Sequence, residues 1–387
     1  MSHKRLFTHA LAAQRAAGRL HFAAHSHHLW PDAARAGQIA CWEDGAGLAD
    51  HKWARVMGEV WPAAQAEIAQ ELRLPDPESI VFATNTHDLL IRLLSARSER
   101  PVRVLASDSE FHSFRRQAAR WVESGRIILD TVALEPFDSF DARFVARARE
   151  TQPDLVFVSQ VFFNNGHVFR EIAALAELAR AEGCWVVIDG YHGFMAIETD
   201  LCAVADRIFY LAGGYKYAMA GEGMGFMHCP PGFGPRPQIT GWYAAFDDLG
   251  AAPGTIGYAP DARRFLGATF DPSALYRFRA VRDVLRAEAL STARIAAHVN
   301  ALQRRLVAAR GATPLGAMTL LNPPGKDDNH ARFLAFRGPQ AQALTAAIDQ
   351  AGVTVDCRSD VLRIGIGLYH DAADVDALVE RSSRITV

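Results

Sequence analysis

Cysteine is scarce and scattered in this sequence. Cys41, Cys184, Cys202, Cys229 and Cys357 are odd in number and none stands in C-x-x-C spacing. That excludes a disulfide framework and a zinc knuckle, and a reducing cytoplasm is the expected setting. Charge of one sign is missing too: 41 Lys and Arg against 43 Asp and Glu leave −2. No basic surplus points to nucleic acid or an anionic membrane, although a small anion needs only a local site. No apolar run reaches the ~18 residues of a membrane span. The opening MSHKRLFTHALAAQ lacks the apolar core of a signal peptide. The glycine-rich GEGMG at 221–225 lacks G-x-G-x-x-G spacing and precedes an expected strand. Dinucleotide binding is therefore not expected, and no phosphate-loop lysine motif occurs. Repeats and low-complexity tracts are absent.

What is there is a globular composition, half hydrophobic and 22% charged, over 387 residues. That length exceeds one ordinary core and suits a large domain plus a smaller one. β-rich apolar runs are expected at Ser79–Ala83, Val102–Ala106, Arg126–Val132, Asp154–Gln160, Cys184–Asp189, Asp206–Leu211 and Gly223–His228. Helical patterns separate them at Asp88–Ser98, Phe111–Ser124, Phe140–Glu150 and Glu171–Glu182. Several runs are too uniformly apolar to have one wet face, which predicts a mainly parallel α/β sheet covered by helices on both sides. From 273 the texture changes. One long helical pattern, Ser273–Arg310, opens at the Asp271-Pro272 start signal. A short α+β set follows: strand Arg332–Phe336, helix Gln340–Gly352, strands Val353–Asp356 and Val361–Ile366, and helix Ala372–Arg384. The expected organisation is an N-terminal segment (1–50) packing at the joint, a large domain (51–272) and a small C-terminal domain (273–387).

Two stretches carry chemistry. In CWVVIDGYHG a buried strand ends in Asp189, where open α/β sheets bind ligands, although a strand-end carboxylate also serves as a cap. The next strand runs into LAGGYKYAMAGEGMGF, with Lys216 between Tyr215 and Tyr217. An apolar pocket there would lower its pKa as a Schiff-base lysine requires; a surface lysine lying over tyrosines is the plainer alternative. Taken together, an Asp ending one strand and a Lys just past the next are the two partners pyridoxal phosphate needs. The lysine holds the aldehyde, and the carboxylate keeps the ring nitrogen protonated.

With these residues the sequence resembles the class V aminotransferase family, and within it kynureninase, on Tyr215-Lys216-Tyr217, the glycine-rich tail behind them and Gly241-Trp242. The resemblance implies a pyridoxal-phosphate-dependent transferase fold of type I. That fold has a mainly parallel seven-stranded sheet covered by helices and a smaller α+β C-terminal domain. It also implies pyridoxal 5′-phosphate as cofactor, an amino-acid substrate and a homodimer. Residue by residue, Asn85 and Thr86 match the phosphate-binding turn at a helix N-terminus, with helix capping by Thr86 as the alternative. Phe111 matches the ring that stacks on the pyridine, against a plain core role. His192 matches the residue near the cofactor's phenolic oxygen or phosphate, and Tyr215 a phosphate donor. Thr269 matches a phosphate contact reaching across from a partner subunit. Asn164 lies in the segment near the same oxygen, where Phe163 and Asn164 replace the family's tyrosines. Arg363, flanked by apolar residues in VLRIGIGLYH, suits a substrate α-carboxylate, an internal salt bridge being the alternative.

His21, His25, His27 and His28 invite a metal reading, but only Asp32 follows them and no metal is expected. The resemblance instead puts His27 or His28 beside the substrate side chain. The cofactor limits the reaction to carbanion chemistry next to an amine, with Lys216 as the base for the α-proton. Kynureninase-like hydrolysis of a Cβ–Cγ bond is expected from Tyr215-Lys216-Tyr217 and Trp242, which would flank an aromatic substrate. An aminotransferase is the alternative, and a cofactor-binding protein without turnover a remote one. AAHSHHLWP and GATFDPS depart from kynureninase where substrate identity is read.

Overall fold

The computed structural model describes residues 2–98, 101–248, 250, 252, 254–325 and 329–386. Thirteen strands occur among them. The first, β1, is Leu20–His21. Seven more make the central sheet: β2 Ile80–Ala83, β3 Val102–Ser107, β4 Ile127–Val132, β5 Leu155–Ser159, β6 Trp185–Asp189, β7 Ile208–Gly213 and β8 Gly225–His228. They lie in the order β2-β8-β7-β6-β5-β3-β4. The pairs β7/β6, β6/β5, β5/β3 and β3/β4 are parallel, whereas β8 runs antiparallel to both its neighbours. Every residue of β5 and β7 is buried, and so is every residue of β6 except its last, Asp189. Uniform burial follows from helices on both faces, as the unbroken apolar runs predicted. The half-buried exception marks the carboxyl edge where a ligand can reach the sheet.

A second, antiparallel sheet uses β9 Thr319–Leu320, β10 Phe333–Arg337, β12 Asp356–Arg358 and β13 Val361–Gly365, in the order β12-β13-β10-β9. β11, Val353–Thr354, pairs instead with β1 in parallel. The N-terminal segment is thus stitched to the C-terminal one. The Phe22 amide donates to the Thr354 carbonyl at 2.8 Å, and the Gly365 amide donates to the Phe22 carbonyl at 2.7 Å.

Three local expectations need correction. The pattern 273–310 is two helices, Ser273–Ala287 and Thr292–Ala309. Ala289 between them has φ of 52°, and Ser291 caps the second helix by accepting from the Arg294 amide, so a capping serine overrode the continuous periodicity. The stretch 171–182 is α-helical only over Ile172–Ala176. Val353–Asp356 is not one strand: β11 and β12 belong to different sheets. The Asp271-Pro272 start signal held, with Asp271 accepting from the Ser273 amide and hydroxyl, both at 2.9 Å.

Candidate active site

The carboxyl edge opens into a cleft of ≈ 370 Å³ between the central sheet and the small antiparallel one. Asn85, Thr86, Phe111, Asp189, His192, Tyr215, Lys216 and Arg363 all line it. These residues come from five stretches of chain; four follow central-sheet strands that run the same way and so end on the same side, and Arg363 comes from β13 across the cleft.

Asp189 ends β6, and its Oδ1 accepts from the Tyr191 amide at 2.9 Å. Burial pushes the Asp189 carboxyl up to about 6, against the pull of that amide and of Lys216. Lys216 follows β7 and is 8% exposed, so it is not a surface lysine. Its Nζ donates to the His25 carbonyl at 2.6 Å. Burial first, and the Arg363 charge second, bring the ammonium down to about 7. A lysine so placed is neutral in a large fraction of molecules near pH 7, the state in which an amine attacks an aldehyde. His192 is buried with its Nδ1 unpartnered, and desolvation holds it well below the ordinary histidine range.

Asn85 precedes the helix Thr86–Ser95, and its Oδ1 accepts from the Asp88 amide at 2.9 Å. The cap is therefore Asn85, not Thr86, and the first-turn amides of Thr86 and His87 sit at a helix start on the cleft. Gly225 is required behind this turn, since a Cβ there would lie 2.4 Å from the Asn85 carbonyl carbon. Phe111 is 39% exposed on the cleft, not in the core, with its ring edge-on to Phe163 at 5.2 Å.

Arg363 takes both roles weighed for it. It lines the cleft, and it also ion-pairs with Asp356 and donates to the Phe163 carbonyl. Its Nε is buried without a partner. His27 is not on the lining, but its Nδ1 lies 3.1 Å from the Tyr215 hydroxyl. Asn164 is off the lining with a buried, unpartnered Oδ1. Trp242 and Thr269 stand elsewhere in this chain, both exposed. Trp242 is 43% exposed against Tyr243, and Thr269 lines a separate cavity with Arg92.

Sequence reasoning missed three residues in or behind the cleft. Glu110 is a fully buried carboxyl between Ser107 and Ser159; its signal was the one that marked Asp189, an acid just past an apolar strand. Arg358 lines the cleft beside Arg363 and shares Asp356 with it, at 2.9 Å. His25 gives its backbone carbonyl to Lys216, which no side-chain pattern could signal. His21 and His28 are off the cleft lining: His21 meets the Tyr369 hydroxyl at 2.8 Å and His28 the Leu29 carbonyl at 2.7 Å.

No helix among the described residues is long and apolar enough to cross a membrane. Among curated proteins, the chain is 31% identical to an isopenicillin N epimerase of Streptomyces clavuligerus over 196 residues, which is 46% of this chain. That match spans about half (48%) of the epimerase. A probable cysteine desulfurase of Pseudomonas aeruginosa is 26% identical over 359 residues, 84% of each chain. Among solved structures, a cystine C–S lyase in complex with its product cysteine persulfide superposes with a TM-score of 0.78 at 16% identity, covering 96% of this chain and 98% of that one. A cysteine desulfurase of Thermococcus onnurineus NA1 does so at 0.76 and 17%, covering 94% and 93%. These last two likenesses establish the fold. The aminotransferase class-V model matches residues 46–378, and the chain belongs to that family.

Proposed function

We propose that this chain is a pyridoxal 5′-phosphate enzyme that works on the α-carbon of an amino acid. The observation that carries the reading is one cleft holding a buried lysine brought down to about 7, a strand-end carboxylate and a carboxylate-sized arginine. The residues fit the cofactor. Lys216 is free of any side-chain acid that would tie it up, since its one hydrogen bond is to a backbone carbonyl. Asp189 keeps one carboxylate oxygen, Oδ2, for a ring nitrogen. The helix start at Thr86, with Tyr215 beside it, takes the phosphate, and Phe111 offers an exposed ring face. His192 brings an orphaned ring nitrogen. When bound, the cofactor supplies an electron sink for charge developing at the α-carbon. The protein's part is to hold the substrate carboxylate at Arg363 and to take the α-proton on Lys216 Nζ.

The relatives' reactions differ, and cysteine chemistry helps choose among them. Desulfuration through a protein thiol needs a cysteine facing the cleft. Cys357 lies between Asp356 and Arg358, which both turn toward Arg363 or the cleft, so strand alternation sends its thiol the other way, toward the Ser359 carbonyl at 3.5 Å. Reactions that begin with α-proton transfer and need no protein thiol fit better: epimerisation, transamination, or kynureninase-like hydrolysis, in which water adds to the side-chain ketone and Cβ–Cγ then breaks. The hydrolase reading rests on Tyr215-Lys216-Tyr217. Its other support, Trp242, stands outside this chain's cleft and would reach a substrate only from a partner subunit.

The same holds for Thr269. Both residues are exposed on neighbouring segments, joined where the Tyr243 amide donates to the Gly267 carbonyl at 3.2 Å. A homodimer in which each subunit lends them to the other accounts for their place. Mixing inactive Lys216→Ala and Thr269→Ala subunits should then restore one working site per hybrid.

The deciding experiment loads purified protein with pyridoxal phosphate, reduces it with borohydride and maps the label, which is expected on Lys216. A panel of amino acids in D2O then separates the reactions. Anthranilate plus alanine from kynurenine marks the hydrolase, a keto acid marks the aminotransferase, and deuterium at the α-carbon with inversion of that centre marks an epimerase or racemase. Failure to label Lys216 would sink the reading.

A further inference from the structure

Among the described residues, Glu110 is a buried acid near the site to which no role in binding or chemistry has yet been given. It is 0% exposed and lies one residue before Phe111, past the end of β3. Four donors close on its carboxyl group. Oε1 accepts from the Ser107 hydroxyl at 2.7 Å and the Ser107 amide at 3.4 Å. Oε2 accepts from the Ser159 hydroxyl at 2.5 Å and the Ser159 amide at 3.1 Å. The Ser107 oxygen also accepts from the Ser109 amide at 3.1 Å, which leaves its own proton for Glu110. Donors on every side match an acceptor-only group, so the pocket is built for the carboxylate.

Its place in the sheet gives that charge a target. Ser159 ends β5 and pairs in register with Asp189, which ends β6. The groups acting on Glu110 are Ser107 from β3, Ser159 from β5 and Asp189 from β6, and of these Asp189 alone ionises. Resting on the cofactor reading above, we propose that Glu110 is a positioning residue for Asp189. It locks the ends of β3 and β5 around that carboxylate and keeps a second negative charge behind it, raising the proton affinity of a ring nitrogen that Asp189 faces. The same anchor fixes the backbone that presents Phe111. Burial pushes the Glu110 carboxyl up to about 7, and Asp189 adds to the rise, so its charge is adjustable near neutral pH.

The test uses the holoenzyme with Glu110→Gln, which loses the charge at nearly constant size but turns one acceptor into a donor, and Ser159→Ala, which weakens the hold on the carboxylate. Pyridoxal phosphate should load onto both variants. Removing negative charge disfavours the protonated cofactor, so the midpoint at which its visible band changes with rising pH should move lower. The expected shift is about half a pH unit or more in Glu110→Gln and a smaller one in Ser159→Ala. A merely structural residue would lower the melting temperature and leave the midpoint in place; an unmoved midpoint in both loaded variants overturns the proposal. Should the wild-type chain itself take up no pyridoxal phosphate, the cofactor reading falls and this one with it. A normal wild-type spectrum with unmoved variants sinks Glu110 alone.

Discussion

The two walls of the cleft are built on opposite electrostatic plans. On the central-sheet wall, Asp189, His192 and Lys216 are each shifted mainly by burial, and none has a side-chain ion pair. On the small-sheet wall, Arg363 and Arg358 share one carboxylate, Asp356, in β12. Asp189 at about 6 and Lys216 at about 7 suit proton transfer near neutral pH, because little energy separates their two states, whereas His192 is held neutral. Two guanidiniums sharing one carboxylate suit recognition, because a substrate carboxylate supplies the second negative charge while competing with Asp356 for Arg363. On the proposed function, chemistry and selection fall to different sheets.

Breaking the first wall should have the largest effect. Lys216→Ala is expected to remove borohydride labelling and to reduce turnover by at least about 10²–10⁴-fold, the contribution of a positioned base. Normal turnover in that variant would mean the central wall does no proton transfer. Asp189→Ala should still admit cofactor, weakly, and slow α-proton exchange by more than about tenfold, since the electron sink loses its counter-charge.

The second wall should respond in binding. Arg363→Ala is expected to raise KM about tenfold or more with a smaller change in kcat, the loss of a charged hydrogen bond to a carboxylate. It should also destabilise the fold by about 3 kcal/mol, because Asp356 is left nearly buried and less well paired. An unchanged KM with that stability loss would return Arg363 to a purely structural role. Asp356→Asn sharpens the contrast. It releases Arg363 from competition, so KM should fall roughly two- to fivefold while stability drops by about 1–2 kcal/mol. A rise in KM instead would show that Asp356 orients the arginine.

The same contrast explains what was legible in the sequence. Uniformly apolar runs ending in Asp189, or followed by Gly-Gly-Tyr-Lys, announce buried strands and what stands at their edge, and the structure brought these residues together. Phe111 was identified by register, and its exposure on the cleft agrees. Less legible were features made by long-range pairing. Asp356, Arg358 and Arg363 meet because β12 and β13 form a hairpin, which the reading of Val353–Asp356 as one strand hid. Glu110 was passed over because an acid after a strand has many uses, and only the closeness of β3 and β5 shows the two serines around it. His25 acts through its backbone, where side-chain identity carries no signal.

A last measurement separates the walls without cofactor or substrate. The Lys216 ammonium is brought from 10.5 in the unfolded chain to about 7 in the fold. Between those values the unfolded chain holds a proton that the folded chain has released, so folding stability rises with pH across that window and is flat outside it for this group. The slope is at most about 1.4 kcal/mol per pH unit. Lys216→Met is apolar at every pH and removes it. The stability of wild-type apoprotein minus that of Lys216→Met should therefore become steadily more positive from pH 7 to 9 in urea titrations. Arg363→Met should show no such trend, because a guanidinium keeps its proton throughout that range. Parallel wild-type and Lys216→Met curves would mean the lysine is solvated in solution, and the difference between the two walls would then disappear.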